Sequence, residues 1–416
     1  MRVAFLLGAF PVISETFILN QITGLLDLGV DVEVFTLCIS KEKKVHPDIE
    51  KYRLISQVHS LKIPKNALYR RIKVLFLLFC NIKHSALLLK TLFNIYRQRK
   101  TPLIQQRGRL LKSFYFFLSF LLNREFDIIH CHFGNIGEFG ITLKNIFPEY
   151  KIITSFYGAD LSKYVKQHGK EYYQELFHRG DLFLPLSQCF ASKLKELGCN
   201  EAKIIVHSIG VDMTRFVSSG RNYNKRNNII LLTVGRFVEK KGYEYSIRAV
   251  AKLLEQHQDM KYLIAGEGPL KKNLVMLASE LKITKNIEFL GTINQNEAIE
   301  LYKKADIFIL PSVTAKSGDK EGTPTVLIEA QATGLPVVST FHSGIPEIVE
   351  NGKSGFLVQE RDVNTLAEKI DFLIQHPELR EEMGRYGRKF VEQKFDIKKL
   401  NKRLVEIYSN LLGNSQ

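Results

Sequence analysis

The densest chemistry in the chain lies in EGTPTVLIEAQATGLPVVST, residues 321–340, which holds the carboxylates Glu321 and Glu329. Thr323 reads as an N-cap and Pro324 as the first residue of a helix, where its missing N–H costs nothing. Gly334 and Pro336 end that helix near Thr333. Its start offers free backbone N–H groups and about half a positive charge, which together form an anion site. Glu321 falls in the loop ahead of that end, and Glu329 beyond the first turn. A phosphate at the helix start would lie between two carboxylates able to accept from hydroxyl-rich groups. Alone, the same pair is two acids of a surface helix.

Two cations extend the pattern. Arg236 ends the apolar run IILLTVG, and Lys241 opens the next helical pattern in GRFVEKKGYE. An arginine fork with a lysine point charge suits a diphosphate. The turn AGEGPL, with Gly266, Glu267 and Gly268, would let backbone approach the same ligand, although glycines after a strand are common. No D-x-D sequence occurs, so the carboxylate motif that often holds a metal on a diphosphate is missing. Arg236, Lys241 and the helix end can neutralise a leaving group instead, and neither a metal nor a cofactor is expected.

These residues need strand ends to hold them. Candidate strands in the first half are Val3–Leu7, Val32–Leu37, Asp127–His132, Lys151–Tyr157, Leu182–Ser187 and Lys203–Ser208. In the second half they are Ile229–Gly235, Lys261–Gly266, Ile287–Gly291, Ile307–Ser312, Pro336–Thr340 and Gly355–Val358. Continuous apolar strands between amphipathic helices predict α/β architecture with parallel sheets covered on both faces. The polar run SSGRNYNKRNN, Ser218–Asn228, separates two such series. Two doubly wound, Rossmann-like domains facing a cleft follow, with ligands outside the carboxyl ends of the strands. The boundaries are a first domain over 1–208, a linker over 209–228, a second domain over 229–395, and a helix over 396–416 returning to the first.

The 416 residues are too many for one ordinary core. Five scattered cysteines without C-x-x-C spacing argue against a disulfide framework or zinc site and for a reducing compartment. The opening MRVAFLLGAF reads as a buried strand, because its apolar run is short and no small-x-small cleavage site follows. No apolar run reaches the roughly 18 residues of a spanning helix. The net charge of +16 is concentrated between Lys51 and Arg124, a stretch without Asp or Glu. There the basic residues alternate with apolar blocks such as VLFLLF and FYFFLSFLL. This insertion, about residues 62–124, suits an anionic membrane surface or packs on its own domain with a solvated basic face. No nucleic-acid recognition motif accompanies it, and no nucleic-acid partner is expected.

Arg236, Lys241, GEGP at 266–269, LPS at 310–312, E-G-x-P-x-x-x-x-E at 321–329 and GLPVVSTFHSGIPEIVENGKSGFLV together resemble retaining glycosyltransferase family four, of the GT-B fold. FPVISETFILNQITGLLDLGVDVEVFTL is similar to its exopolysaccharide and colanic-acid-type branch. The resemblance implies a hexosyltransferase-type enzyme that takes a sugar from a UDP- or GDP-linked donor to a lipid-linked oligosaccharide. It places the enzyme in the cytoplasm, peripheral at the inner face of the plasma membrane. Arg236 and Lys241 would hold the donor diphosphate, Glu329 the ribose, and Glu321 the transferred sugar. Gly8, Gly266, Glu267, Gly268, Gly322, Thr323, Pro324, Thr325 and Val326 would line the donor. His132, in HCHFG, would face the cleft beside the reacting centre. The Gly8–Thr16 loop, with Ser14 and Glu15, would close over the site, and Asp160 would contact the acceptor. Tyr157 stands where the family usually has histidine; a tyrosine is no general base at neutral pH without a large pKa depression.

Transfer with retention implies front-face attack, in which the leaving phosphate accepts the acceptor proton. Three other readings use the same residues. A glycoside hydrolase would use Glu321 and Glu329 as acid and nucleophile, but leaves Arg236 and Lys241 without a task. A silent family member would organise a membrane assembly without binding nucleotide sugar. A nucleotide-sugar epimerase would act without an acceptor.

Overall fold

The computed structural model describes residues 1–12, 15–40, 46–59, 126–217 and 228–413, and residues 66, 68, 69, 72, 76, 93 and 120. Ser14, the stretch 218–227 and most of the basic insertion, including Arg70, Arg71, Lys73, Arg107, Arg109 and Lys112, lie outside the described residues.

Among the described residues, the apolar runs form two parallel sheets of six strands each. The first contains β1 (Arg2–Phe10), β2 (Asp31–Ile39), β3 (Val58–His59), β4 (Ile128–His132), β5 (Lys151–Phe156) and β6 (Leu182–Pro185), in the order β3-β2-β1-β4-β5-β6. The second contains β7 (Ile230–Val234), β8 (Lys261–Ala265), β9 (Ile287–Gly291), β10 (Ile307–Leu310), β11 (Val337–Thr340) and β12 (Gly355–Val358), in the order β12-β11-β10-β7-β8-β9. Every residue of β4, β10 and β11 is buried, as strands covered on both faces require. In each sheet the strand order reverses once, between β1 and β4 and between β7 and β10. A doubly wound sheet opens its ligand crevice at such a reversal, beyond the carboxyl ends of the strands.

The expected strand Lys203–Ser208 does not form. Asn200 instead caps a short turn over Glu201–Lys203, and beyond it a single bridge joins Ile204 to Phe183. The Ser208 hydroxyl then turns back to the Leu186 carbonyl at 2.8 Å.

After the helix Pro377–Lys394 the chain returns to the first sheet. Val211 pairs with Asp396, whose side chain caps the helix Ile397–Leu411 by accepting from the Lys398 N–H. Leu404, Ile407 and Tyr408 of that helix join the apolar cluster of Val3, Phe5, Val32 and Val34. Gly24 makes the approach possible, since a Cβ there would stand 1.8 Å from Asn401 Nδ2. Leu404 is fully buried in this junction. Leu404→Ala will therefore cost about 2–5 kcal/mol of unfolding free energy, read from the denaturant midpoint. A loss below about 1 kcal/mol would show that the helix contributes little to the first domain's core.

The halves also touch beside the crevice. The Glu347 carboxylate accepts from the backbone N–H groups of Gln188 (2.8 Å) and Cys189 (2.9 Å), at the start of the helix Gln188–Glu196. Arg215 pairs with Asp48 at 2.9 Å and donates to Gln295 at 2.9 Å.

Candidate active site

Both reversals carry candidate residues. Arg236 follows β7, exposed and without an ion-pair partner among the described residues. Lys241 does not open a helix; it ends a short turn over Glu239–Lys241, and the next helix begins at Tyr243. Gly242 lies between them at φ +68°, with its missing Cβ only 1.8 Å from the Pro311 carbonyl. Only glycine permits that approach, which brings the lysines onto the loop after β10.

There Lys241 Nζ lies 3.1 Å from Glu321 Oε2. Lys240 Nζ lies 3.7 Å from Glu321 Oε1 and 3.2 Å from Asp319 Oδ1. Burial pushes the Glu321 pKa up, but the two ammonium groups outweigh it and hold the carboxyl below its ordinary value. Glu321 is therefore a buried, ionised acceptor.

The helix after it runs Thr325–Ala332. Pro324 is its extended cap residue (ψ 108°) and not its first helical residue, and the Thr323 side chain makes no capping bond. The start thus sits one residue later than the spacing predicts, with Thr325 and Val326 in the first turn. Gly322 faces the first domain, where a Cβ would stand 2.2 Å from the Tyr157 carbonyl. Half-buried Glu329 accepts a hydrogen bond from the Tyr302 hydroxyl at 2.7 Å. Burial pushes its pKa up, and that bond and Lys241 oppose the rise.

Gly266, at φ +144°, is pressed against the loop after β7, its missing Cβ 1.9 Å from the Gly235 carbonyl. The Glu267 carbonyl accepts from the Phe237 N–H at 2.9 Å, while its carboxylate turns outward to Lys271. Gly268 packs against the Phe237 backbone in the same way.

On the first sheet, Gly8 lies inside β1 and not in the loop beyond it. Glu15 is the residue before the helix Thr16–Asp27 and gives it no side-chain cap. His132 ends β4 but does not stand open in the cleft: it is 0% exposed, with Nδ1 2.6 Å from the Tyr157 hydroxyl. Burial lowers its pKa to about 3, so the imidazole is neutral. The Tyr157 ring packs on His132, Phe17 and Phe133, and burial raises its pKa, which keeps the phenol protonated. Asp160, expected to contact the acceptor, is 1% exposed. Its carboxylate accepts from the backbone N–H groups of Gly134, Tyr157, Gly158 and Leu161, which ties the loops after β4 and β5 together.

Three site residues lie outside the sequence reading. Lys240 is one. His342, after β11, is the second, with Nε2 3.1 Å from the Glu321 nitrogen and Nδ1 2.6 Å from Glu360 Oε1. Glu360, after β12, is the third. A polar residue just past a strand's carboxyl end was the available signal for the last two.

Among the described residues, the buried polar atoms without a hydrogen-bond partner include His132 Nε2, Ser312 Oγ, Glu321 Oε1 and Thr323 Oγ1, all at strand ends or in loops along the carboxyl edges. Such groups are rare in native interiors. Among the described residues no group of three His, Cys, Asp or Glu side chains is placed to hold a metal ion. Among them, too, no helix is long and apolar enough to cross a membrane.

The family Glycosyl transferases group 1 matches residues 218–390, and Glycosyltransferase Family 4 matches residues 14–215. WcaL of Escherichia coli (strain K12), named for colanic acid biosynthesis, is 36% identical over 99% of this chain and 100% of its own. The amylovoran biosynthesis glycosyltransferase AmsK of Erwinia amylovora is 32% identical over 88% of this chain and 89% of its own. Among solved structures, Anabaena Alr3699/HepE in complex with UDP-glucose superposes with a TM-score of 0.73 at 18% identity, covering 99% of this chain and 100% of that one. The fold of this chain is GT-B.

Proposed function

The chain belongs to the glycosyltransferases of group 1 and Family 4, and from that membership we propose a retaining, metal-independent hexosyl transfer from a nucleotide sugar to a lipid-linked oligosaccharide. The observation that carries this reading is the Lys241–Glu321 pair ahead of the helix Thr325–Ala332, with exposed Arg236 on the neighbouring loop. A donor diphosphate between Arg236, Lys241 and the helix start meets fixed positive charge where negative charge develops on leaving. Ionised Glu321 accepts from hydroxyls of the transferred sugar, and Glu329 from the ribose. The acceptor hydroxyl attacks the anomeric carbon on the face that the diphosphate leaves. The bond to the sugar forms as the bond to the phosphate oxygen breaks, and that oxygen takes the acceptor proton. Neutral His132 and Tyr157 shape the first domain's wall and hold no charge in this step.

Calorimetry tests the assignment. UDP or GDP binds the wild type, and Glu329→Ala weakens that affinity by about 10-fold or more, the value of a charged hydrogen bond. Unchanged affinity would remove the ribose role.

The names of WcaL and AmsK support surface-polysaccharide assembly as the setting. The basic insertion supports work at the cytoplasmic face of a membrane, on an acceptor whose own diphosphate and lipid lie there. Leu68, Tyr69, Ile72, Phe76 and Phe93 are each between 53% and 64% exposed, apolar side chains suited to a lipid interface. Phe120, by contrast, is buried against Phe35 of the first sheet at 3.9 Å between ring centroids. Co-sedimentation with anionic vesicles will retain the protein at low salt and release it at high salt. Failure to bind at low salt would remove the membrane role.

A further inference from the structure

We propose that Glu360 and His342 form a positioning relay that sets the backbone of Glu321 and so aims its carboxylate at the transferred sugar; this rests on the donor role given to Glu321 above.

The hydrogen-bond inventory determines the direction of the relay. A backbone N–H only donates, so the Nε2 that faces the Glu321 nitrogen at 3.1 Å presents its lone pair. The ring proton therefore sits on Nδ1, where Glu360 Oε1 accepts it at 2.6 Å. His342 is 1% exposed, which keeps water from replacing either partner. Glu360 is itself held in place: its Oε2 accepts from the Thr314 N–H at 2.8 Å and its Oε1 from the Thr314 hydroxyl at 3.2 Å. One carboxylate thus joins the loops after β10, β11 and β12.

Glu321 receives two independent constraints. Lys241 fixes where its carboxylate points, and His342 fixes where its backbone begins. Without the relay the buried Glu321 N–H would lack an acceptor, and the loop would shift to find one. Displacement near 1 Å at a reacting centre can cost about 10²-fold in rate. Nucleoside diphosphate binding, assigned to Arg236, Lys241 and the helix start for the diphosphate and to Glu329 for the ribose, would be nearly untouched. His342 and Glu360 are positioning residues on this account.

Two substitutions separate positioning from bulk packing. His342→Gln keeps one acceptor for the Glu321 N–H and one donor for Glu360; His342→Phe keeps the ring and neither bond. Turnover will be followed with UDP-glucose and GDP-mannose, and affinity with UDP and GDP. Phe is expected to lower donor turnover by about 30-fold or more while nucleoside diphosphate affinity stays within about 2-fold; Gln will remain within about 5-fold of wild type. Equal losses in both variants, or a parallel loss of diphosphate affinity, would overturn the relay. The ¹⁵N ring spectrum, assigned by subtracting the Gln variant, adds a test that survives poor folding of the Phe variant. It will show the Nδ1–H tautomer, and the Nε2–H tautomer would overturn the proposal without any donor. A wild-type chain that binds no nucleotide sugar overturns the proposed function and the relay together. A chain that binds one, yet treats Gln and Phe alike, overturns the relay alone.

Discussion

Lys241→Ala will lower kcat/KM for sugar transfer by about 10²-fold or more, the scale seen when a fixed charge is removed from a developing anion. Two losses combine in this variant. The leaving diphosphate loses its lysine, leaving only Arg236 and the helix start to meet its charge. Glu321, buried and 3.1 Å from Lys241, loses its nearer cation and keeps only Lys240 at 3.7 Å. Burial then dominates, and the Glu321 pKa rises. Since the ionised form is the one that accepts from sugar hydroxyls, the acid limb of kcat/KM will move to higher pH in the variant. Lys241→Arg will restore part of the rate, because it returns the charge in a different geometry. Near-wild-type turnover of Lys241→Ala with a purified donor would remove the lysine from the mechanism.

Glu321→Gln will reduce turnover by about 10- to 100-fold, the range for losing a charge-assisted hydrogen bond that strengthens in the transition state. The amide preserves shape and one acceptor, so nucleoside diphosphate affinity changes little. Stability falls only modestly, since Lys240 retains Asp319 at 3.2 Å. The effect should concentrate in kcat, unlike that of Glu329→Ala, which concentrates in nucleotide affinity. A Glu321→Gln enzyme with unchanged kcat would show that the carboxylate serves only the ion pair. Membership of the glycosyltransferases also disposes of the hydrolase reading of the same two acids.

Most of the fold was legible because buried parallel strands read as unbroken apolar runs. IILLTV and IFIL announce β7 and β10 in this way. Val58–His59 was not legible, since two residues carry no periodicity. Lys203–Ser208 looked like a strand, but the Asn200 cap upstream and the Ser208 turn downstream leave one bridge between them.

At the site, Glu321, Glu329, Arg236 and Lys241 were legible because short spacings and strand ends determine their place. The KK doublet gave no reason to separate its members, and both lysines reach Glu321. His342 and Glu360 sit on successive loops, and only the β11–β12 pairing brings them together. The surroundings of Asp160 and His132 were not legible. Their types suggest chemistry, but position alone does not reveal that backbone N–H groups saturate one carboxylate, or that Phe5 and Tyr157 enclose one imidazole.

The central claim is that Arg236, Lys241, Glu321 and Glu329 bind a nucleotide sugar. It is tested most directly by thermal melting of the wild type and of Lys241→Ala across a set of UDP- and GDP-sugars. A ligand bound only by the folded state adds about 2.7 kcal/mol at one hundred times its Kd. One nucleotide sugar will therefore raise the wild-type Tm in a concentration-dependent way, and the same ligand will leave Lys241→Ala nearly unshifted. No shift with any nucleotide sugar, or an equal shift in both proteins, would contradict the account.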